Sequence, residues 1–195
     1  DPLRIRPAWS TAWLRGDPAL KVELESGVGR SEGLLVLGDS ASWRGELVDV
    51  DLARLPLRGQ AIALAGRLEA AADLLLGPGG PVGPLSFDAS AGSITHPAIP
   101  IPLEFERATG DIALGEDPVV HIRSFEVDGP VLFASVTGDV RRGQRRGDEQ
   151  LDLGVKLEIK DPALVSLLQS FGVRLDARGR AQFDLGGTLS DPRPR

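Results

Sequence analysis

Residues 173–189 have the sequence VRLDARGRAQFDLGGTL, in which every second residue is apolar or glycine and most of the residues between are charged or polar. Successive side chains of a β-strand point to opposite faces, so the stretch predicts one strand with an apolar face and a charged face. At about 3.3 Å per residue, this strand would run to roughly 50–55 Å. Strands of that length are typical of a scaffold or a groove rather than of a compact enzyme.

The same alternation recurs along the chain. It predicts strands at 20–28, 62–74 and 151–159. The apolar run 34–37, closed by Gly38, predicts a short buried strand, and another strand is predicted at 42–52. Residues 62–74 are rich in Ala and Leu, which also favour a helix, but Gly66 and the strict period of two favour a strand. One short helix is predicted after Asp161, because Asp is a good N-cap and Pro162 suits the first helical position. We therefore expect a mainly β fold, a long, strongly curved and folded-over antiparallel sheet that resembles a groove, with one short helix near the C-terminus.

Glycine and proline mark the connections. Residues 77–84, GPGGPVGP, form the only low-complexity run, and we expect an exposed connection there rather than a central strand. Residues 27–33 are also predicted to be a turn. Their glycine spacing does not match a dinucleotide-binding fingerprint, and they lack the Lys-Ser or Lys-Thr of a phosphate loop.

Composition excludes several function classes. The formal net charge of −6 disfavours a general nucleic-acid binder, which needs a surplus of Lys and Arg. The absence of Cys excludes a disulfide scaffold, a thiolate metal site and a cysteine nucleophile. Aromatic residues make up only 5% of the chain, so an aliphatic core is expected. No stretch approaches the roughly 18 apolar residues that a membrane-spanning helix needs.

No catalytic or metal-binding set is evident. His96 and His121 are the only histidines, and neither has a second ligand at a helical or strand spacing that metal sites use. The carboxylates of Asp49 and Asp51, and those of Glu104 and Glu106, would share strand faces, a spacing that calcium or acid–base chemistry could use but that a solvated face explains better. We expect no enzyme activity and no cofactor.

Two groups of residues are candidates for binding. The first is a set of apolar residues on predicted strand faces, which would either line a groove for acyl chains or pack as ordinary core: Leu153, Val155, Leu157, Leu175, Phe183 and Leu185. The second is a basic cluster at a predicted hairpin tip, which would either be solvated or dock an acidic partner or lipid headgroups: Arg141, Arg142, Arg145 and Arg146.

Three stretches resemble the periplasmic region of the type II secretion system protein N family, which is related to AsmA-like envelope proteins. The first is the proline-punctuated segment 83–87 followed by 99–105. The second is the pair of glycine-containing strands at 110–114 and 138–140. The third is the strand 151–159 with its helix and the ending Gly187-Thr188-Leu189-Ser190-Asp191-Pro192. The resemblance covers roughly 55–192, and residues 1–54 are only loosely similar.

This resemblance implies a single β-rich periplasmic domain over 1–195, held at the bacterial inner membrane by an anchor segment preceding Asp1. It implies a non-enzymatic accessory component of a type II protein secretion system, whose partners are other secretion proteins. The AsmA-like relationship implies an alternative, a groove that binds or transfers lipid. Neither alternative involves nucleic acid or transfers a catalytic residue to this chain.

Overall fold

A computed structural model describes residues 2–9, 13, 16–55, 63–95, 102–117, 119–143, 147–170 and 173–195. Strands dominate it, as the alternation predicts. In chain order they are β1 Leu3–Pro7, β2 Ala19–Ser26, β3 Gly29–Val36, β4 Ala41–Asp51, β5 Ala63–Gly77, β6 Gly80–Thr95, β7 Leu103–Leu114, β8 Val119–Asp128, β9 Leu132–Arg141, β10 Gln150–Ile159, β11 Arg180–Thr188 and β12 Asp191–Pro194. A 3-10 turn at Leu52–Arg54 follows β4, and helix α1, Pro162–Ser170, lies between β10 and β11.

All twelve strands form one antiparallel sheet in which spatial order equals chain order, from β1 at one edge to β12 at the other. Each strand pairs with its sequence neighbours, and the sheet does not close on itself. The predicted fold class, a mainly β protein with an antiparallel sheet and one short helix near the C-terminus, is confirmed.

The pairing register places the apolar side chains of neighbouring strands on the same side of the sheet. Residues paired across an antiparallel ladder lie on the same face. The row that passes through Gly33, Gly45, Ala72, Leu85 and Ile112 therefore lies on one side, which we call the apolar face. The row next to it, which includes Glu46 and Asp111, lies on the other side, the polar face.

Bulges interrupt four ladders. The register shifts between β4 and β5, β5 and β6, β7 and β8, and β8 and β9. Two non-glycine residues at these irregular positions have left-handed backbone angles, Asp49 with φ 53° and Ala91 with φ 48°. A bulge bends its strand and increases the local twist, so the middle of the sheet departs from a flat surface.

The main core lies on the apolar face of the middle strands. Its buried members are Leu52, Ala89, Phe105, Ala108 and Val127. Leu52 comes from the 3-10 turn, whose N-cap Asp51 accepts a hydrogen bond from the Ala53 N–H at 3.0 Å. This cap holds the turn in place, and the turn covers part of the sheet.

The prediction of one strand over 173–189 is wrong in its first half, because β11 begins only at Arg180. The Asp176 carboxylate accepts hydrogen bonds from the N–H groups of Arg178 and Arg180, at 2.7 and 2.9 Å, and Gly179 has φ +73°. These bonds close a turn in place of a ladder. The partner strand β10 ends at Ile159, whose N–H donates to Gly179 O at 2.9 Å, so residues 173–178 lie beyond the end of that strand.

The predictions for two glycine-containing segments are also wrong in part. β6 begins at Gly80, inside the run expected to be an exposed connection, and β3 begins at Gly29, inside the predicted turn. The β5–β6 ladder keeps one register through this run, from Ala72–Leu85 to Leu75–Val82 and Gly77–Gly80, although Pro84 has no N–H to donate. The predicted strand over 62–74 and the helix after Asp161 are confirmed as β5 and α1.

The sheet leaves much surface exposed. A compact monomer of 20.7 kDa is expected to expose about 8,900 Å², whereas this chain exposes 12487 Å². Among the described residues, no helix is long and apolar enough to cross a bilayer.

Candidate functional site: an apolar sheet face

The apolar face continues across all twelve strands. Within the described strands, register assigns no charged residue to it, and its only hydroxyl-bearing residues are Ser26 and Ser31. The remaining positions are aliphatic, aromatic, glycine or proline. Removal of such a face from water is favourable, whether the face packs against the chain itself or against an apolar ligand.

Five of the six predicted groove residues lie together on this face. Leu153 pairs with Leu185 and Val155 with Phe183, and Leu157 lies on the same face of β10. Val155 is buried and the other four are half-buried. Leu175 does not join them through the ladder, since it precedes the Asp176 turn and lies outside β11.

Exposure differs along the face. Near β10 and β11, Leu151, Val155, Ile159 and Ala181 are buried, as is Leu164 of α1. On the first five strands, large apolar residues of the same face are exposed: Leu3, Ile5, Leu24, Leu47 and Leu76. The apolar surface available to a ligand is therefore concentrated between β1 and β5.

Aromatic rings cover glycines on this face. Trp43 lies over both Gly33 and Gly45, and Phe87 lies over Gly110, so a Cβ atom at any of the three glycines would collide with a ring. Phe87 also contacts Phe125 two strands away, with ring centroids 6.1 Å apart. Beside Trp43 there is a hollow of about 170 Å³, bordered by Leu47 and Leu85.

The polar face carries cross-strand ion pairs. Arg44 bonds Asp73 across β4 and β5, Arg180 approaches Glu158 across β11 and β10, and Arg107 bonds Asp88 across β7 and β6. The hydrogen bond to Asp88 and its charge raise the pKa of Arg107. All these side chains are substantially exposed, so the pairs add little stability. Their consequence is that the polar face is hydrated and the two faces stay chemically distinct.

A hollow of about 620 Å³ is lined mainly by polar-face side chains. Its cations are Lys21, Arg44 and Arg123, which pair with Glu23, Asp73 and Asp111. Because carboxylates neutralise these cations, the hollow has no surplus positive charge for an anion. Its apolar lining is limited to Ala71, Ala72, Pro84 and Leu85, which lie among charged side chains. We therefore place the candidate site on the apolar face rather than in this larger hollow.

The basic cluster is described only in part. Arg141 ends β9 and Arg142 follows it, and both are exposed at the tip predicted from sequence. Arg145 and Arg146 lie outside the described residues.

The other candidate groups take part in local contacts. His121 Nδ1 lies 2.7 Å from Asp139 Oδ1 across β8 and β9, and His96 lies outside the described residues. Asp49 pairs with Arg67, and Asp51 caps the 3-10 turn. The described part of the chain contains no group of three or more His, Asp or Glu side chains placed to hold a metal ion.

Sequence reasoning missed the exposed part of the apolar face. It singled out β10 and β11, where the alternation is most regular, whereas the residues exposed to solvent lie on β1 to β5. Leu20, Val22 and Leu24 already alternate with charged residues, so the signal for that face was present. Alternation does not indicate how much of that face another segment covers.

No family model, curated protein or solved structure matches this chain.

Proposed function

We propose that this protein binds the acyl chains of lipids along its apolar face. The observation that carries the proposal is a face without a charged residue across twelve described strands, combined with exposed leucines at its β1–β5 end. An acyl chain needs an apolar surface that excludes water and few directed contacts, which is what leucine, alanine and glycine rows supply.

One end of the sheet exposes apolar and cationic residues that support a membrane-contacting role. Odd-numbered strands of an antiparallel meander run in the same direction, so their carboxyl ends lie at one end of the sheet. Three large apolar residues are exposed at this end: Trp9 after β1, Leu37 after β3 and Leu189 after β11. The exposed fraction of Trp9 is 81%. Arg141 ends β9 and Arg142 follows it at the same end. Tryptophan favours the membrane–water interface, and arginine attracts anionic headgroups.

A matched pair of leucine variants tests the proposal. Leu47 lies on the apolar face, and Leu75 lies on the polar face of the adjacent strand; both are exposed. We expect the wild type to be labelled by a photoactivatable diazirine phosphatidylethanolamine and to carry phospholipid in native mass spectrometry. Leu47→Asp should lower both signals several-fold, and Leu75→Asp should leave them unchanged.

The controls are the far-UV circular dichroism and unfolding temperature of both variants, which should match the wild type because both positions are exposed. A lipid-free wild type, or equal loss in the two variants, would contradict acyl-chain binding on this face.

The second candidate function is the accessory role in type II secretion that the sequence resemblance implies, at the periplasmic side of a bacterial inner membrane. The observation that favours it is an edge strand, β1, that remains open to pairing. In that case partner binding, measured against purified secretion components, should persist in the Leu47→Asp variant that loses lipid.

A further inference from the structure

The two edges of the sheet differ in their backbone chemistry. Among the described strands, β1 pairs with β2 alone and β12 with β11 alone. An edge strand whose N–H and C=O groups point outward can pair with a strand of another chain, and natural sheets block such edges with proline or charge. In an antiparallel ladder, alternate residues bond to the neighbouring strand and the residues between them point their backbone groups away from it.

The β12 edge is closed. Arg195 N–H donates to Asp184 O at 2.7 Å, so the odd-numbered residues of this strand direct their backbone groups toward β11. Asp191 and Arg193 therefore bond toward β11, and positions 192 and 194 point outward. Both outward positions are proline, which has no N–H. The edge offers acceptors at these two positions but no donor.

Among the described residues, the β1 edge is open at two of its three outward positions. Ala8 N–H donates to Ala19 O at 2.8 Å, and Glu25 N–H reaches Pro2 O at 3.5 Å. The even-numbered residues of β1 therefore bond toward β2, and Leu3, Ile5 and Pro7 point their backbone groups outward. Leu3 and Ile5 present both N–H and C=O, whereas Pro7 presents only its C=O. Their side chains are 58% and 56% exposed and lie on the apolar face. A strand added here would extend that face.

Charge on β1 disfavours a second copy of this chain as the occupant. Arg4 and Arg6 lie on the polar face of the edge strand. Antiparallel registers between two β1 strands that pair Leu3 with Ile5, or Ile5 with Ile5, put arginine opposite arginine, and like charges directly opposite each other are destabilising. Pairing with β12 of a second copy would meet the outward prolines.

The surroundings of the two arginines favour an acidic occupant. No described carboxylate oxygen lies within 4 Å of either guanidinium, since neither residue is in an ion pair. Glu23, opposite Arg4, is bonded to Lys21 at 3.0 Å, and Lys21 is opposite Arg6. Lys21 lowers the pKa of Glu23, with smaller contributions from Arg6 and Arg4. On β1 and β2, these two rows thus hold three cations and one carboxylate; the next strand adds Glu32 opposite Glu23.

We propose that the β1 edge receives an extended segment of a partner protein in which apolar residues alternate with Asp or Glu, added as a further strand of the sheet. Backbone bonds to Leu3 and Ile5 would supply affinity, and acidic side chains facing Arg4 and Arg6 would supply specificity. This inference does not depend on lipid binding by the apolar face.

The test uses a fluorescein-labelled heptapeptide of alternating Val and Glu, and a counterpart with Lys in place of Glu. At low salt, fluorescence anisotropy should show the Glu peptide binding at least tenfold more tightly than the Lys peptide. Ile5→Pro removes an outward N–H while leaving the β1–β2 bonds in place, so it should weaken binding at least tenfold. Arg4→Glu with Arg6→Glu should reverse the peptide preference.

A second measurement uses the wild type alone, so its result does not depend on whether the variants fold. In the wild type, the Glu peptide should slow hydrogen exchange at the Leu3 and Ile5 amides. Absence of Glu-peptide binding, unchanged affinity in Ile5→Pro, or unprotected Leu3 and Ile5 amides in the complex would each overturn the proposal.

The closed edge provides the converse test. Pro192→Val with Pro194→Val adds two outward donors to β12, and light scattering should then detect concentration-dependent association between β12 of one copy and β1 of the next. Addition of Ile5→Pro should reverse that association. A double-valine variant that stays monomeric would overturn the assignment of β1 as an edge open to pairing.

Discussion

The two ends of the apolar face have the same residue pattern and different environments. On β1 to β4, leucines that alternate with charged residues remain exposed, as Leu24 and Leu47 do. On β5 to β9, residues in equivalent alternation are buried around Phe105. The comparison teaches that alternation determines which side of a strand is apolar, whereas burial depends on whether another segment covers that side.

What covers the middle of the sheet can be identified. The 3-10 turn contributes Leu52, and the bulge at Ala91 lies next to Gly92, over which the Phe105 ring packs. On β1 to β4, Trp43 over Gly33 and Gly45 is a local cover of the same kind, but no member of the buried cluster lies on those strands. The packed region should therefore account for most of the stability.

The largest expected effect is from Phe105→Ala. Phe105 is 5% exposed and lies within the buried cluster, so truncation leaves a cavity and should lower the free energy of unfolding by about 3–5 kcal/mol. Leu47→Ala, at a residue 38% exposed on the open end of the same face, should cost less than about 1 kcal/mol. Urea unfolding of both variants measures the difference, and equal losses would contradict the division between packed and open regions.

A smaller effect is expected from Gly110→Ala. The added methyl group would overlap the Phe87 ring, and displacement of a packed ring should cost about 1–3 kcal/mol. Gly79, in the turn between β5 and β6, has no atom within 4 Å of a Cβ position, so Gly79→Ala should stay within about 0.5 kcal/mol of the wild type. Chemical denaturation tests the pair; an equally stable Gly110→Ala would show that Phe87 does not depend on this glycine.

The smallest effect concerns pH and the Asp176 turn. The N–H groups of Arg180 and Arg178 lower the pKa of Asp176. A carboxyl whose pKa is lower in the folded than in the unfolded state stabilises the fold above the unfolded value, about 3.9, and loses that contribution as pH falls through the folded value. Below about pH 4, the wild type should therefore lose thermal stability more steeply than Asp176→Asn. Parallel unfolding temperatures from pH 7 to pH 2.5 would contradict this role.

Much of the fold could be predicted from residue alternation, because a strand with one apolar side has a period of two. The strand 151–159 was located to within a residue by this signal. The predicted first residue of a strand is wrong where a side chain competes for backbone hydrogen bonds, as Asp176 does before β11. It is also wrong where glycine and proline remain in a ladder, as Gly80 and Pro81 do in β6.

The candidate site could be predicted only in part. Period two assigned Leu153, Val155 and Phe183 to one face, which the register confirms. It did not show that Val155 would be buried while Ile5 would be exposed, because that depends on the strand's position in the sheet and on distant segments. The asymmetry of the edges depends on hydrogen-bond parity, which becomes visible only when each terminal strand has a partner and a register.

Because spatial order equals chain order in this meander, the width of the sheet is set by counting strands. Eleven spacings of about 4.8 Å give a width of about 53 Å, and each added hairpin would widen it by about 10 Å without reversing either face. Interactions between sequence neighbours also make stability approximately a sum of adjacent-strand contributions, as in repeat proteins. Duplication or loss of one hairpin would thus change the reach of the apolar face while leaving its chemistry the same, which makes the sheet a molecular ruler of adjustable length.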